Sequence, residues 1–159
     1  MATEPQGKNT TSNTRVHTDI VGLRDKRVLY VDDDRLAREV TRRMLRRAGA
    51  HCFVACTHDE AVALAGAEAG LTVAMLDYHM PDGPIARLVK RLHLLRPALP
   101  LIGTSAVPRH REFVAIGVPH FLEKPWDTAD LARAVNRVCA STPRSAPLLS
   151  LDSRETAGA

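Results

Sequence analysis

What most limits how this chain can fold is an alternation. Short apolar runs, each stopped by turn or acidic residues, take turns with segments of helical periodicity. Arg27-Val-Leu-Tyr-Val31 reads as a strand that stops at Asp32, Asp33 and Asp34. Arg35 to Ala48 carries Ala37, Val40, Met44, Leu45 and Ala48 on one face and halts at Gly49, as an amphipathic helix does. His51 to Ala55 is a second strand, and Thr57-His-Asp-Glu60 is a capping box ahead of an Ala-rich helix. Leu71 to Leu76 is a third strand stopped by Asp77, and Pro84 suits the first residue of a helix reaching about Arg96. Leu101 to Thr104 is a fourth strand, followed by a weak helix near His110 and a short fifth strand at His120 to Leu122. Ala129 to Cys139 is the last helix, capped by Asp127 or Thr128. Five such strands alternating with helices predict a parallel sheet covered on both faces.

A chain of 159 residues suits one domain of this kind. The stretches 1–24 and 141–159 are polar or rich in Pro and Ser and read as a flexible arm and tail, leaving 25–140 as the folded unit. No apolar run reaches the roughly 18 residues of a membrane span, and Met1 to Thr14 lacks the apolar core of a secretory signal. Three cysteines cannot close a disulfide framework, and no Cys or His pair has zinc spacing. A cytoplasmic protein with reduced thiols is expected. The net charge of +4 lies wholly between Arg24 and Arg47. No direct DNA binding is expected, since no helix-turn-helix domain fits after Ala140.

In open parallel sheets, ligands bind outside the carboxyl ends of the strands. The residues found there are Asp32, Asp33 and Asp34, then Asp77, then Thr104 and Ser105, then Lys124-Pro125. An aspartate after a strand is often only a helix cap, and Asp34 suits that role for the helix starting at Arg35. Capping does not account for several carboxylates converging with a lysine and a hydroxyl. Crowded carboxylates repel unless a cation neutralises them, and oxygen-only ligands suit a hard ion such as Mg²⁺. A carboxylate can also act as a nucleophile toward a phosphoryl group, whose charge a metal, an ammonium and a hydroxyl would absorb. Asp77 as nucleophile, Asp32 and Asp33 as metal holders, Ser105 as donor and Lys124 as counter-charge form a chemically complete set.

From about Lys26 to Ala140 the sequence resembles the response-regulator receiver domain of two-component phosphorelay signalling. The resemblance rests on Val31-Asp32-Asp33-Asp34, Leu76-Asp77-Tyr-His-Met80-Pro81, Ser105-Ala106 and Lys124-Pro125-Trp126, in order and each at a strand end. It implies a flavodoxin-like, doubly wound sheet of order 2-1-3-4-5 with helices on both faces. By that resemblance Asp77 is the phosphate acceptor. Asp32, Asp33, Asp77 and the backbone carbonyl of His79 would surround Mg²⁺. Ser105 and Phe121 would be the switch pair, and Lys124 the conserved lysine, joined to Pro125 by a cis bond. The implied role is that of a signalling phosphoprotein rather than an enzyme. Its phosphoryl donor would be a sensor histidine kinase or histidine phosphotransfer protein. Its output would be a conformational switch read by a downstream protein target or a phosphorylation-dependent homodimer, whether the domain stands alone or comes from a hybrid kinase or longer regulator.

Two departures from the family pattern stand out. Asp82-Gly83 follows Met80-Pro81 at once, where two further residues are usual, and the stretch from Ser105 to Lys124 is a few residues short. The fourth helix is therefore expected to be clipped, with Pro108 and Pro119 reinforcing that expectation. His79 and Val107 stand where side chains of this family tune hydrolysis of the phosphoaspartate: Val107 offers an attacking water nothing to hold, while His79 could screen or assist it. Arg38, Arg42, Arg43, Arg46 and Arg47 spread over the first helix, either as a solvated face or as a dock for an acidic kinase or phosphotransfer bundle. Two rivals remain at this level. One is a haloacid dehalogenase-like phosphatase using Asp32 and Asp34, with Thr104 or Ser105 and Lys124 as later motifs. It leaves Asp77 without a role and offers only Asp127 and Asp130 as a second acidic pair. The other is a receiver-like binding module that is not phosphorylated.

Overall fold

In the computed structural model, residues 22–141 are described, and strands and helices alternate throughout. The strands are β1 (Arg27–Val31), β2 (His51–Ala55), β3 (Val73–Asp77), β4 (Leu101–Ser105) and β5 (His120–Glu123). The helices are α1 (Arg35–Arg47), α2 (His58–Ala67), α3 (Ile85–Leu95), α4 (His110–Ala115) and α5 (Thr128–Ser141). The sheet order is β2-β1-β3-β4-β5 with every pair parallel, the doubly wound order expected. The arm and tail read from the sequence lie outside the described residues, apart from Gly22–Arg24 and Ser141. Within that margin Leu23 is fully buried, and its amide donates to the carbonyl of Ala48 at 2.7 Å.

Strand alternation divides the core in two. Leu29, Val31, Ala74, Leu76 and Leu101 face α2, α3 and α4 through Ala61, Ala65, Leu88, Leu92 and Phe113. Val28, Tyr30, Val73, Met75 and Ile102 face α1 and α5 through Leu45, Leu131, Val135 and Val138. Local signals start and stop the helices. Asp34 accepts from the amides of Leu36 and Ala37 to cap α1, and Thr57 accepts from Glu60 N to cap α2. At the head of α5, Asp127 and Asp130 each accept the other's amide, at 2.7 and 3.1 Å. Gly49, at φ +96°, supplies the left-handed residue that ends α1.

The structure moves some boundaries. β3 begins at Val73 rather than Leu71, because the Leu71 amide closes a turn onto the Glu68 carbonyl. Pro84 is the extended cap of α3 rather than its first residue. The fourth helix is a six-residue turn and a half, ended by Gly117 at φ +87° and by the Val118 amide bonding back to the Phe113 carbonyl. Its one fully buried side chain, Phe113, lies flat on Gly103 of β4.

Candidate functional site

Since all five strands run the same way, their carboxyl ends share one edge. Backbone bonds lock those ends together: Asp32 N to Ala55 O at 3.1 Å, Tyr78 N to Thr104 O at 2.9 Å, and Lys124 N to Ser105 O at 2.9 Å. The Lys124–Pro125 peptide is cis. The lysine ammonium reaches across the edge, with Nζ 2.6 Å from Asp32 Oδ2 and 2.8 Å from Asp77 Oδ1. Asp32 and Asp77 are buried, Asp33 is exposed, and one oxygen from each lies within 4.8 Å of the others. The structure thus brings Asp32, Asp33, Asp77 and Lys124 into one cluster.

Each buried carboxylate is held by named donors. Asp77 accepts the His79 amide on Oδ2 at 3.0 Å. Asp32 accepts the Asp34 amide on Oδ1 at 2.9 Å, and shares Oδ2 between Lys124 and the Tyr30 hydroxyl. Arg38 donates to the carbonyls of Asp32 and Asp33 at 2.6 and 2.8 Å, fixing the turn from above. Burial, reinforced by the Asp32 charge, holds the Asp77 carboxyl above its ordinary value even though Lys124 pulls the other way. Burial pulls the Lys124 ammonium down, but its bonds to Asp32 and Asp77 outweigh that and keep it above its ordinary value. Three carboxylates face one ammonium, so the pocket carries uncompensated negative charge. A donor set made only of oxygens fits a hard divalent cation rather than zinc or a soft metal.

The remaining candidates flank this cluster. Ser105 is fully buried at the end of β4, and its Oγ accepts the Val107 amide at 3.2 Å. Thr104 pairs in register with Asp77, and its buried hydroxyl has no hydrogen-bond partner. Phe121 is partly buried, with its ring centroid 5.8 Å from Phe113 and 6.3 Å from His110. Asp34 spends its carboxylate on the α1 cap, and Asp127 and Asp130 cap α5, so the acidic residues the phosphatase rival needs are engaged elsewhere.

Several contributors were not singled out from the sequence. Tyr30 is on β1 two residues before Asp32, which directly follows the strand, and that spacing in extended chain puts both on one face. Tyr78, next to Asp77, packs edge-on against Phe113 at 5.6 Å with the Arg109 guanidinium 4.9 Å from its ring centre. Asp82, in the loop between β3 and α3, accepts the His58 amide at 2.6 Å and so caps α2 from a distance.

Residues 28–136 match the family model described as Response regulator receiver domain. The two-component response regulator ARR22 of Arabidopsis thaliana is 29% identical over 109 residues, covering 65% of this chain and 77% of that protein. The chemotaxis protein CheY4 of Vibrio cholerae superposes with a TM-score of 0.65 at 26% identity, covering 71% of this chain and 98% of that one. A CheY-like receiver domain protein of Methanospirillum hungatei gives 0.67 at 25% identity, covering 74% and 95%.

Proposed function

The chain belongs to the response regulator receiver domain family, and from that premise we propose that Asp77 accepts a phosphoryl group from a histidine kinase or histidine phosphotransfer protein. The observation that carries this is the Lys124 ammonium bridging Asp32 and Asp77 beside the exposed carboxylate of Asp33. Asp77 Oδ1 attacks phosphorus, the P–N bond to the donor imidazole breaks, and the ring nitrogen recovers its electron pair. The product is an acyl phosphate. Lys124 turns its charge from the carboxylates to the new phosphoryl oxygens. Asp32, Asp33, Asp77 and the His79 carbonyl would hold Mg²⁺, which when bound draws charge from the phosphoryl oxygens. Ser105 supplies the hydroxyl that follows the phosphoryl group, and Phe121 turns with it.

In this reading the folded unit at 25–140 is a cytoplasmic signalling module. Its altered surface is read by a downstream protein, a second phosphorylated copy included. Leu36 and Val40 are exposed on α1 next to the site, on a helix that also presents Arg42, Arg43, Arg46 and Arg47. That combination suits a donor bundle carrying apolar and acidic residues, with Arg42 and Arg43 already partly occupied by Glu39.

The test is intact mass after incubation with Mg²⁺ and acetyl phosphate. A phosphoryl adduct that disappears in Asp77→Asn supports the reading. An adduct that persists in Asp77→Asn and depends on Asp32 indicates a phosphatase-type nucleophile, and no adduct at all indicates a binding module.

A further inference from the structure

Asp32 is unusual among the site carboxylates in having three donors: the Asp34 amide on one oxygen, and on the other both Lys124 and the phenol of Tyr30. Tyr30 is fully buried and lies in the apolar layer beneath α1 and α5. A phenylalanine would fill that layer equally well, so the hydroxyl answers to the carboxylate rather than to packing. Trp126 packs edge-on against the phenol ring at 6.3 Å, and the neighbouring Thr41 of α1 is itself buried.

Lys124 cannot serve Asp32 and a phosphoryl group equally. When its ammonium turns to new phosphoryl oxygens, Asp32 Oδ2 loses one of its two donors in a buried place, where an unpartnered charge is costly. Tyr30 is the donor that stays. Building on the reading of Asp77 as phosphoacceptor, we propose that Tyr30 is a positioning residue that holds Asp32 and frees Lys124 to leave it. Two consequences follow with opposite signs. A carboxylate relieved of a donor is a stronger ligand, so removing the hydroxyl tightens cation binding. The same removal leaves Lys124 as the sole donor on Oδ2, so it is released less readily and phosphoryl uptake slows.

The experiment compares wild type with Tyr30→Phe, which keeps the ring and its packing, and with Thr41→Val, which removes the hydroxyl neighbouring the phenol. Mg²⁺ alone is titrated by the fluorescence of Trp126, the single tryptophan of the chain, whose ring centre lies 5.9 Å from Lys124 Nζ. Uptake from acetyl phosphate is then timed by intact mass at saturating Mg²⁺. Tyr30→Phe is expected to bind Mg²⁺ more tightly, on the order of tenfold, and to take up phosphoryl several-fold more slowly. Thr41→Val is expected to move both in the same directions by less. A loosened site would weaken the cation and slow uptake together, so weaker or unchanged Mg²⁺ affinity in Tyr30→Phe overturns the proposal. The titration needs no phosphorylation, so a wild type that binds Mg²⁺ but takes up no phosphoryl group overturns the acceptor reading and leaves the hold of Tyr30 on Asp32 to stand on the titration.

Discussion

Replacing Gly103 with alanine tests how β4 supports both the acceptor and the short fourth helix. A Cβ at this position would sit 2.4 Å from Cγ and Cδ2 of Phe113 and 2.6 Å from Cδ1. Ordinary carbon contacts lie at about 3.5–4.0 Å, so the ring has to retreat by roughly 1 Å. It has little room to do so. Phe113 is fully buried, with Tyr78 at 5.6 Å and Phe121 at 5.8 Å between ring centres. Overpacking of this kind costs about 1–3 kcal/mol, and a planar ring with neighbours on two sides belongs at the upper end. Alanine recovers about 0.5–1 kcal/mol of strand-interior preference over glycine. The net expectation for Gly103→Ala is a loss of about 2 kcal/mol.

Urea denaturation at fixed pH reads this directly as a lower midpoint with an unchanged slope. The same measurement on Phe113→Leu and on the double variant isolates the clash, because leucine can turn away from the new methyl. The double variant should be more stable than the sum of the single losses implies, by about 2 kcal/mol of coupling. If Gly103→Ala stays within about 0.5 kcal/mol of wild type, or if the two losses simply add, the seat of Phe113 on Gly103 is not what holds this part of the fold.

Other substitutions separate roles that crowd together in the sequence. Asp34→Ala should cost about 1 kcal/mol by urea denaturation, since it removes the α1 cap, yet still take up phosphoryl from acetyl phosphate; loss of labelling would return Asp34 to the chemistry. His58 is buried with neither ring nitrogen hydrogen-bonded, and burial holds it below its ordinary value against the pull of Asp82, with Arg87 and Arg91 adding to the effect. A depressed histidine gives stability that is complete above its unfolded value of about 6.5 and is lost as pH falls toward the folded value, so denaturation midpoints should drop below that pH in wild type and much less in His58→Gln. Reversing charge with Arg42→Glu and Arg46→Glu should slow phosphotransfer from a donor protein, and the deficit should shrink as salt screens the encounter, while acetyl phosphate labelling stays unchanged. Equal transfer rates at low salt would make the arginines a solvated face.

Much of this could be read in advance because a parallel sheet simplifies geometry. Once five strands alternate with helices, the residue after each strand must lie on one edge, so Asp32, Asp77, Ser105 and Lys124 converge without any knowledge of their side-chain directions. The caps at Asp34 and Thr57 were legible because they act within two or three residues. What escaped depends on distance along the chain or on shape. The bond from Asp82 to the His58 amide joins residues 24 apart, and nothing local in Pro81-Asp82-Gly83 marks it. The meeting of Gly103 and Phe113 arises only when α4 folds over β4. Tyr30 is different: its alternation with Asp32 was visible, but a tyrosine in an apolar strand reads as core until a carboxylate is placed beside its hydroxyl.

The clipped helix and the aromatic contacts are two sides of one arrangement. A helix of six residues has too few internal hydrogen bonds to be stable by itself, so α4 owes its place to Phe113 and the residues that ring meets. Those residues are Tyr78, next in sequence to Asp77, and Phe121 on β5, with Gly103 lying in register between Leu76 and Phe121. Any shift of the chain just beyond Asp77 therefore presses on the single ring that anchors α4. A longer helix would share that load among several buried side chains. Here Phe113 is the one fully buried side chain of α4, with His110 adding an outer contact to Phe121 at 6.3 Å, so the end of β3 meets α4 through Tyr78 and that ring.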